Sequence, residues 1–128
     1  MVTIGTGPKV FCSGFNTKFW AKKEGNMTLS LMGFQKLVSR IIQLGFPTLA
    51  ILNGHAIGAG VFLALAHDRA IMDSNPDFTV CTNELSFGMA FPYSYVQMLR
   101  AFCAARVARQ MLLGPRLSPM KAVEWDII

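Results

Sequence analysis

The chain has 128 residues, 52% of them hydrophobic and only 15% charged, with a formal net charge of +5. That length bounds it at one domain, 1–128, and no apolar run approaches the roughly 18 residues of a spanning helix, the longest clean one being Val61–Ala66. Residues 1–7 lack the basic-then-apolar layout of a secretory signal, so the apolar excess is read as surface that absent segments or partner subunits would cover.

The positive balance suits a solvated basic surface or attraction of a phosphorylated polyanion. Lys18, Lys22 and Lys23 cluster, whereas Arg100, Arg106, Arg109 and Arg116 are scattered. They do not interleave with aromatics as a single-strand stacking platform would, so nucleic acid is not expected as a partner. Cys12, Cys81 and Cys103 are odd in number and far apart, which fits reduced thiols and neither a disulfide frame nor a metal site.

In chain order, Val2–Ile4 reads as a strand ended by Gly5-Thr6-Gly7-Pro8, and 9–12 as a second extended run broken at Ser13-Gly14. A short helix is possible within 15–23. Thr28 is taken as the N-cap of an amphipathic helix whose apolar residues (Leu31, Phe34, Leu37, Val38, Ile41, Ile42, Leu44) recur at helical spacing until Gly45. A strand follows at 48–52, then one glycine turn (Gly54, Gly58, Gly60) and a helix from about Gly60. Strands are expected at 69–72 and 78–81, helix over 93–113 with a break near 101–104, and a last helix capped by Ser118-Pro119. This is an α/β mixture; a doubly wound sheet and a coil of ββα units both remain compatible with it.

The stretch Asn53-Gly54-His55-Ala56-Ile57-Gly58-Ala59-Gly60 carries the chemistry. Glycine permits close backbone approach, and a helix start leaves N–H groups without partners, so the segment suits an oxyanion or a phosphate. Its glycines fall as G-x-x-x-G-x-G, which is neither the dinucleotide fingerprint nor a P-loop. A second glycine turn, Cys12-Ser13-Gly14-Phe15-Asn16, would let two amides converge on one carbonyl oxygen. Among the scarce acids, Glu84 sits between apolar neighbours (Phe78, Val80, Leu85, Phe87, Met89), where a raised pKa would make it a proton carrier. His55 and His67 have no nucleophile elbow or metal spacing beside them and read as structural.

Together the blocks Lys9–Asn16, Pro47–Gly60, His67–Met72 and Asn83–Gly88, with Leu113–Ala122, resemble the crotonase superfamily, the enoyl-CoA hydratase/isomerase family. The resemblance implies a partial crotonase-like ββα superhelix lacking the C-terminal helices, and an acyl-CoA thioester as partner, with no cofactor beyond the CoA of the substrate. It places the oxyanion hole at the amides of Phe15 and Ala59, and substrate contacts at Gly14, Asn16, Lys18, Gly58 and Gly60. Phe62, Phe87, Met89 and Phe91 would line the acyl slot. Hydrating members carry two glutamates; here the first position is Phe62 and the second Glu84. One carboxylate suffices to move a proton, so the pattern resembles the monofunctional Δ3,Δ2-enoyl-CoA isomerases of fatty-acid β-oxidation. Another crotonase reaction (hydratase or hydrolase) and a non-catalytic acyl-CoA-binding chain are the alternatives. The resemblance also implies truncation at both ends, a homotrimer when full-length, and a peroxisomal or mitochondrial setting, with the cytoplasm as a third option.

Overall fold

A computed structural model describes all 128 residues. Strands β1 (Val2–Ile4), β3 (Leu49–Leu52) and β5 (Arg69–Met72) form one parallel sheet in the order β1-β3-β5. The second sheet runs β2 (Val10–Cys12), β4 (His55–Ile57), β6 (Val80–Cys81), β7 (Arg116–Leu117), with only β7 antiparallel to its neighbour. Each consecutive pair of strands therefore gives its first member to one sheet and its second to the other. The helices lie between pairs: α1 (Thr17–Trp20) and α2 (Asn26–Ile42) after β2, and α3 (Ala59–Leu65) after β4. After β6 come a 3-10 turn (Glu84–Phe87), α4 (Tyr93–Phe102) and α5 (Ala105–Met111); α6 (Pro119–Glu124) follows β7. This is a spiral of ββα turns, which decides between the two architectures left open above. No helix is long and apolar enough to cross a membrane.

The corners between the paired strands stack tightly. A Cβ on Gly54 would meet the Lys9 carbonyl carbon at 2.1 Å, and one on Gly5 would meet the Val10 oxygen at 2.4 Å. Asn53 at the second corner fastens the first: its Oδ1 accepts from the Gly5 amide at 2.9 Å, and its Nδ2 donates to the carbonyls of Gly5 (3.0 Å) and Gly7 (2.6 Å). Between the two sheets and the helices lies one core, including Leu52, Val61, Phe62, Leu99 and Met111.

Both histidines are structural cross-links. The Nδ1 of His55 accepts from the Thr79 amide at 3.1 Å. His67 has Nδ1 2.9 Å from the Leu63 carbonyl, which can only accept, so that nitrogen carries the proton and Nε2, 2.8 Å from the Thr3 hydroxyl, accepts. Asp68 accepts from both the amide (2.7 Å) and the hydroxyl (2.8 Å) of Thr48, and the hydroxyl's hydrogen bond leads the causes holding its carboxyl below the usual range.

Several elements differ from the sequence reading. The long helix starts at Asn26 after Gly25, whose φ of 87° ends the preceding loop. Thr28 thus sits inside the first turn, and Asn26 anchors it by donating to the Phe19 carbonyl at 2.7 Å. The glycine segment is interrupted by β4, which is too short to show a period but is held between β2 and β6. The two-residue β7 was likewise invisible, being defined by its pairing alone.

Candidate active site

Each of three successive turns of the spiral sends one polar group to the same place. In the first, Gly14 (φ 85°) follows β2 and turns the chain so that Phe15 precedes α1. In the second, Gly58 (φ 54°, ψ −123°) ends β4 and Ala59 opens α3. The third follows β6 with the 3-10 turn that starts at Glu84.

Missing Cβ atoms let these turns touch. A Cβ on Gly14 would stand 3.0 Å from the Ile57 oxygen and 3.3 Å from the Ala59 nitrogen. A Cβ on Gly58 would lie 3.1 Å from Asn83 Oδ1 and 3.5 Å from Glu84 Oε1. The positive φ at both positions would strain any L side chain in addition. The Gly58 amide is tied to the Cys81 carbonyl at 2.8 Å, which locks the second turn to the third.

The residues of these turns line a cavity of about 490 Å3, Gly14, Phe15, Gly58, Ala59 and Glu84 among them, with Phe87, Met89 and Phe91 in its apolar walls. The Phe15 amide lies outside any helix or strand and has no acceptor in the protein, while the Ala59 amide is the first of a helix and has no intrahelical one. Phe15 is held by aromatic contacts, with Trp20 at 5.2 Å and Phe34 at 5.4 Å between ring centroids. Each such pair contributes about 0.5–1.5 kcal/mol beyond its burial, which fixes the amide that follows Gly14.

Glu84 is the one carboxylate lining the cavity. Burial pushes its carboxyl above the usual range, opposed only by a hydrogen bond from its own amide, and its Oε2 is buried without a partner. Such a group keeps its proton more readily than a solvated carboxylate does, as a proton carrier requires.

Four residues expected at the substrate do not line the cavity. Phe62 is fully buried one layer below the cavity, stacked on Tyr95 at 4.0 Å and edge-on to Phe91 at 6.4 Å. Those two rings, rather than Phe62, form the wall. Asn16 caps α1, its Oδ1 accepting from the Phe19 amide at 3.1 Å. Lys18 is exposed on α1 outside the cavity lining, although Thr17 and Trp20 of the same helix line it. Gly60 is a packing residue: a Cβ there would stand 2.2 Å from the Cys12 carbonyl oxygen. Gly60→Ala is therefore expected to destabilise by at least the upper end of the ~1–3 kcal/mol typical of overpacking, read as a lower urea midpoint. Alanine is the better helix former, so the loss would isolate the clash.

Trp20, Met27, Leu31 and Tyr95 also line the cavity. In the sequence Leu31 and Tyr95 carry only the signal of apolar helix faces, and Trp20 and Met27, which precedes the expected N-cap, carry none.

The sequence profile of the enoyl-CoA hydratase/isomerase family matches residues 1–128. The chain belongs to the enoyl-CoA hydratase/isomerase family. Among curated members, the peroxisomal enoyl-CoA delta isomerase 2 of Arabidopsis thaliana is 31% identical, aligned over 100% of this chain and 56% of that protein. A carnitinyl-CoA dehydratase of Proteus mirabilis is 30% identical over 98% of this chain and 48% of that protein. The crystal structure of an enoyl-CoA hydratase from Bacillus anthracis superimposes with a TM-score of 0.90 at 25% identity, over 99% of this chain and 49% of that one. An enoyl-CoA hydratase from Mycobacterium marinum gives 0.87 at 24%, over 95% and 53%. The fold is thus the crotonase fold of this family, in part: the chain spans about half the length of the relatives it matches.

Proposed function

We propose that this chain isomerises 3-enoyl-CoA to 2-trans-enoyl-CoA, the double-bond shift required in fatty-acid β-oxidation. The observation that carries this reading is a single desolvated carboxylate, Glu84, lining the same cavity as Phe15 and Ala59. The amides of Phe15 and Ala59 hold the thioester oxygen, each contributing about 3 kcal/mol as charge develops there. The C2 proton becomes acidic and passes to the Glu84 carboxylate; the electron pair delocalises as a dienolate. The same carboxyl then returns a proton to C4, leaving the double bond between C2 and C3. Phe87, Met89 and Phe91 keep water from the dienolate. Lys18, exposed on α1, is a cation for the CoA phosphates. Similarity to peroxisomal isomerases supports a peroxisomal setting, and assembly as a homotrimer belongs to the full-length protein.

Hydration is the second reading, favoured by the similarity to carnitinyl-CoA dehydratases. The two separate by substrate. An isomerase makes a conjugated thioester from 3-enoyl-CoA and leaves 2-enoyl-CoA unhydrated; hydration of 2-enoyl-CoA without any double-bond shift would overturn the isomerase reading.

The state of Glu84 also sets a pH dependence. The base must be ionised, so the rate should climb with pH through its titration. Burial places that acid limb above the ordinary carboxylate value of about 4.3. A limb at the ordinary value in the kcat/KM profile would point to a solvated carboxylate as the base.

A further inference from the structure

The peptide that carries the Phe15 amide follows Gly14, whose φ of 85° lies where no Cβ restrains the chain. No acceptor in the protein holds that amide. Its aim therefore depends on where the Phe15 side chain packs. Two rings meet that side chain: Phe34 at 5.4 Å with an interplanar angle of 76°, and Trp20 at 5.2 Å and 40°.

The two supports differ in what holds them. Phe34 packs against the buried core and meets Tyr95, itself 2% exposed, at 5.8 Å. It is not part of the cavity lining. Trp20 ends the four-residue α1, is half-buried, and is not among the side chains packed on that core. Its indole Nε1 makes no hydrogen bond, so packing alone places the ring. Trp20 does line the cavity, as do Met27 and Leu31 one turn apart on α2. One side of Phe15 is thus set by the fold, and the other depends on what fills the cavity.

We propose that Trp20 is a positioning residue: an apolar acyl tail in the cavity presses Trp20 against Phe15 and so aims the amide that receives the thioester oxygen. This rests on the acyl-CoA reading of the site and deepens it. Binding energy from the unreacting tail then appears in kcat rather than in affinity alone. An aromatic pair shifts an equilibrium by about two- to tenfold. That is below the roughly 10^2–10^3-fold cost of a deleted oxyanion donor, because the amide is moved and not removed. The favoured substrates are 3-enoyl thioesters with a long apolar tail.

The test measures kcat and KM for 3-enoyl-CoA thioesters of increasing tail length in the parent, Trp20→Ala and Trp20→Phe. In parallel, a saturated long-chain acyl-CoA labelled with 13C at the thioester carbon reports by NMR how strongly its bound carbonyl is polarised. In the parent, kcat should rise about five- to tenfold from the shortest tail to the longest. Trp20→Ala should remove most of that rise and return the bound carbonyl resonance toward its free position. Trp20→Phe, which restores a ring, should recover both. A parent kcat independent of tail length overturns the proposal without any variant, so a Trp20→Ala that fails to fold does not shelter it. A Trp20→Ala in which only KM changes overturns it too, since Trp20 is then only a wall. In both cases a shifted carbonyl in the parent leaves the oxyanion reading standing. A parent that binds acyl-CoA with its carbonyl at the free position removes that reading, and the proposal with it.

Discussion

Glu84→Gln is expected to lower isomerisation kcat by about 10^2–10^4-fold, the range contributed by a positioned proton carrier, with KM little changed because the amides proposed to hold the thioester oxygen remain. Gln keeps the volume and one acceptor but cannot take the C2 proton. The same substitution should raise stability at neutral pH. Burial raises the folded-state pKa of Glu84 above its unfolded value. The stability linked to its proton is therefore fully present below the unfolded pKa and lost as pH rises through the folded one. At pH 7, above the unfolded value, this linkage opposes folding of the parent and is absent from the Gln variant, so the variant's Tm should exceed the parent's there, and the gap should close below about pH 4. Parent-like turnover in a folded variant would remove Glu84 from the mechanism.

Ala59→Pro is expected to cost about 10^2–10^3-fold in kcat, the effect of deleting one oxyanion donor. Ala59 is the first residue of α3, the helical position where proline is best tolerated because its amide has no intrahelical partner to lose. The absent Cβ of Gly14, which would sit 3.3 Å from this nitrogen, leaves room beside it. The variant should therefore keep its far-UV circular dichroism and acyl-CoA affinity within severalfold while losing rate. Turnover within tenfold of the parent, in a folded variant, would mean that another donor faces the developing charge.

The glycine segment around Gly54, Gly58 and Gly60 was legible because glycine is the residue type that close backbone approach demands. What each glycine approaches was not: Gly54 meets Lys9 and Gly60 meets Cys12, contacts across some forty-five residues that no local pattern records. The spiral architecture shares its strand and helix order with a doubly wound sheet, and only the pairing of β1 with β3 and of β2 with β4 separates them. Glu84 stood out as an acid among apolar neighbours, a composition signal that burial then accounts for. Phe62 was misplaced because matching a position to a family motif says which residue occupies it, not which way a phenylalanine substituted there will pack. Tyr95 carries no such motif; helical periodicity assigns it to a core, and its unpaired hydroxyl is visible only once the neighbouring turns are in place.

Phe15, Ala59 and Glu84 come from consecutive layers of a stacked coil. On the proposed mechanism no single layer, nor any two, can make the chemistry on its own, so catalysis would double as a probe of whether the stack is complete. Partial melting that detaches only one layer should silence turnover while much of the circular dichroism survives, and activity should disappear at lower denaturant than the spectrum.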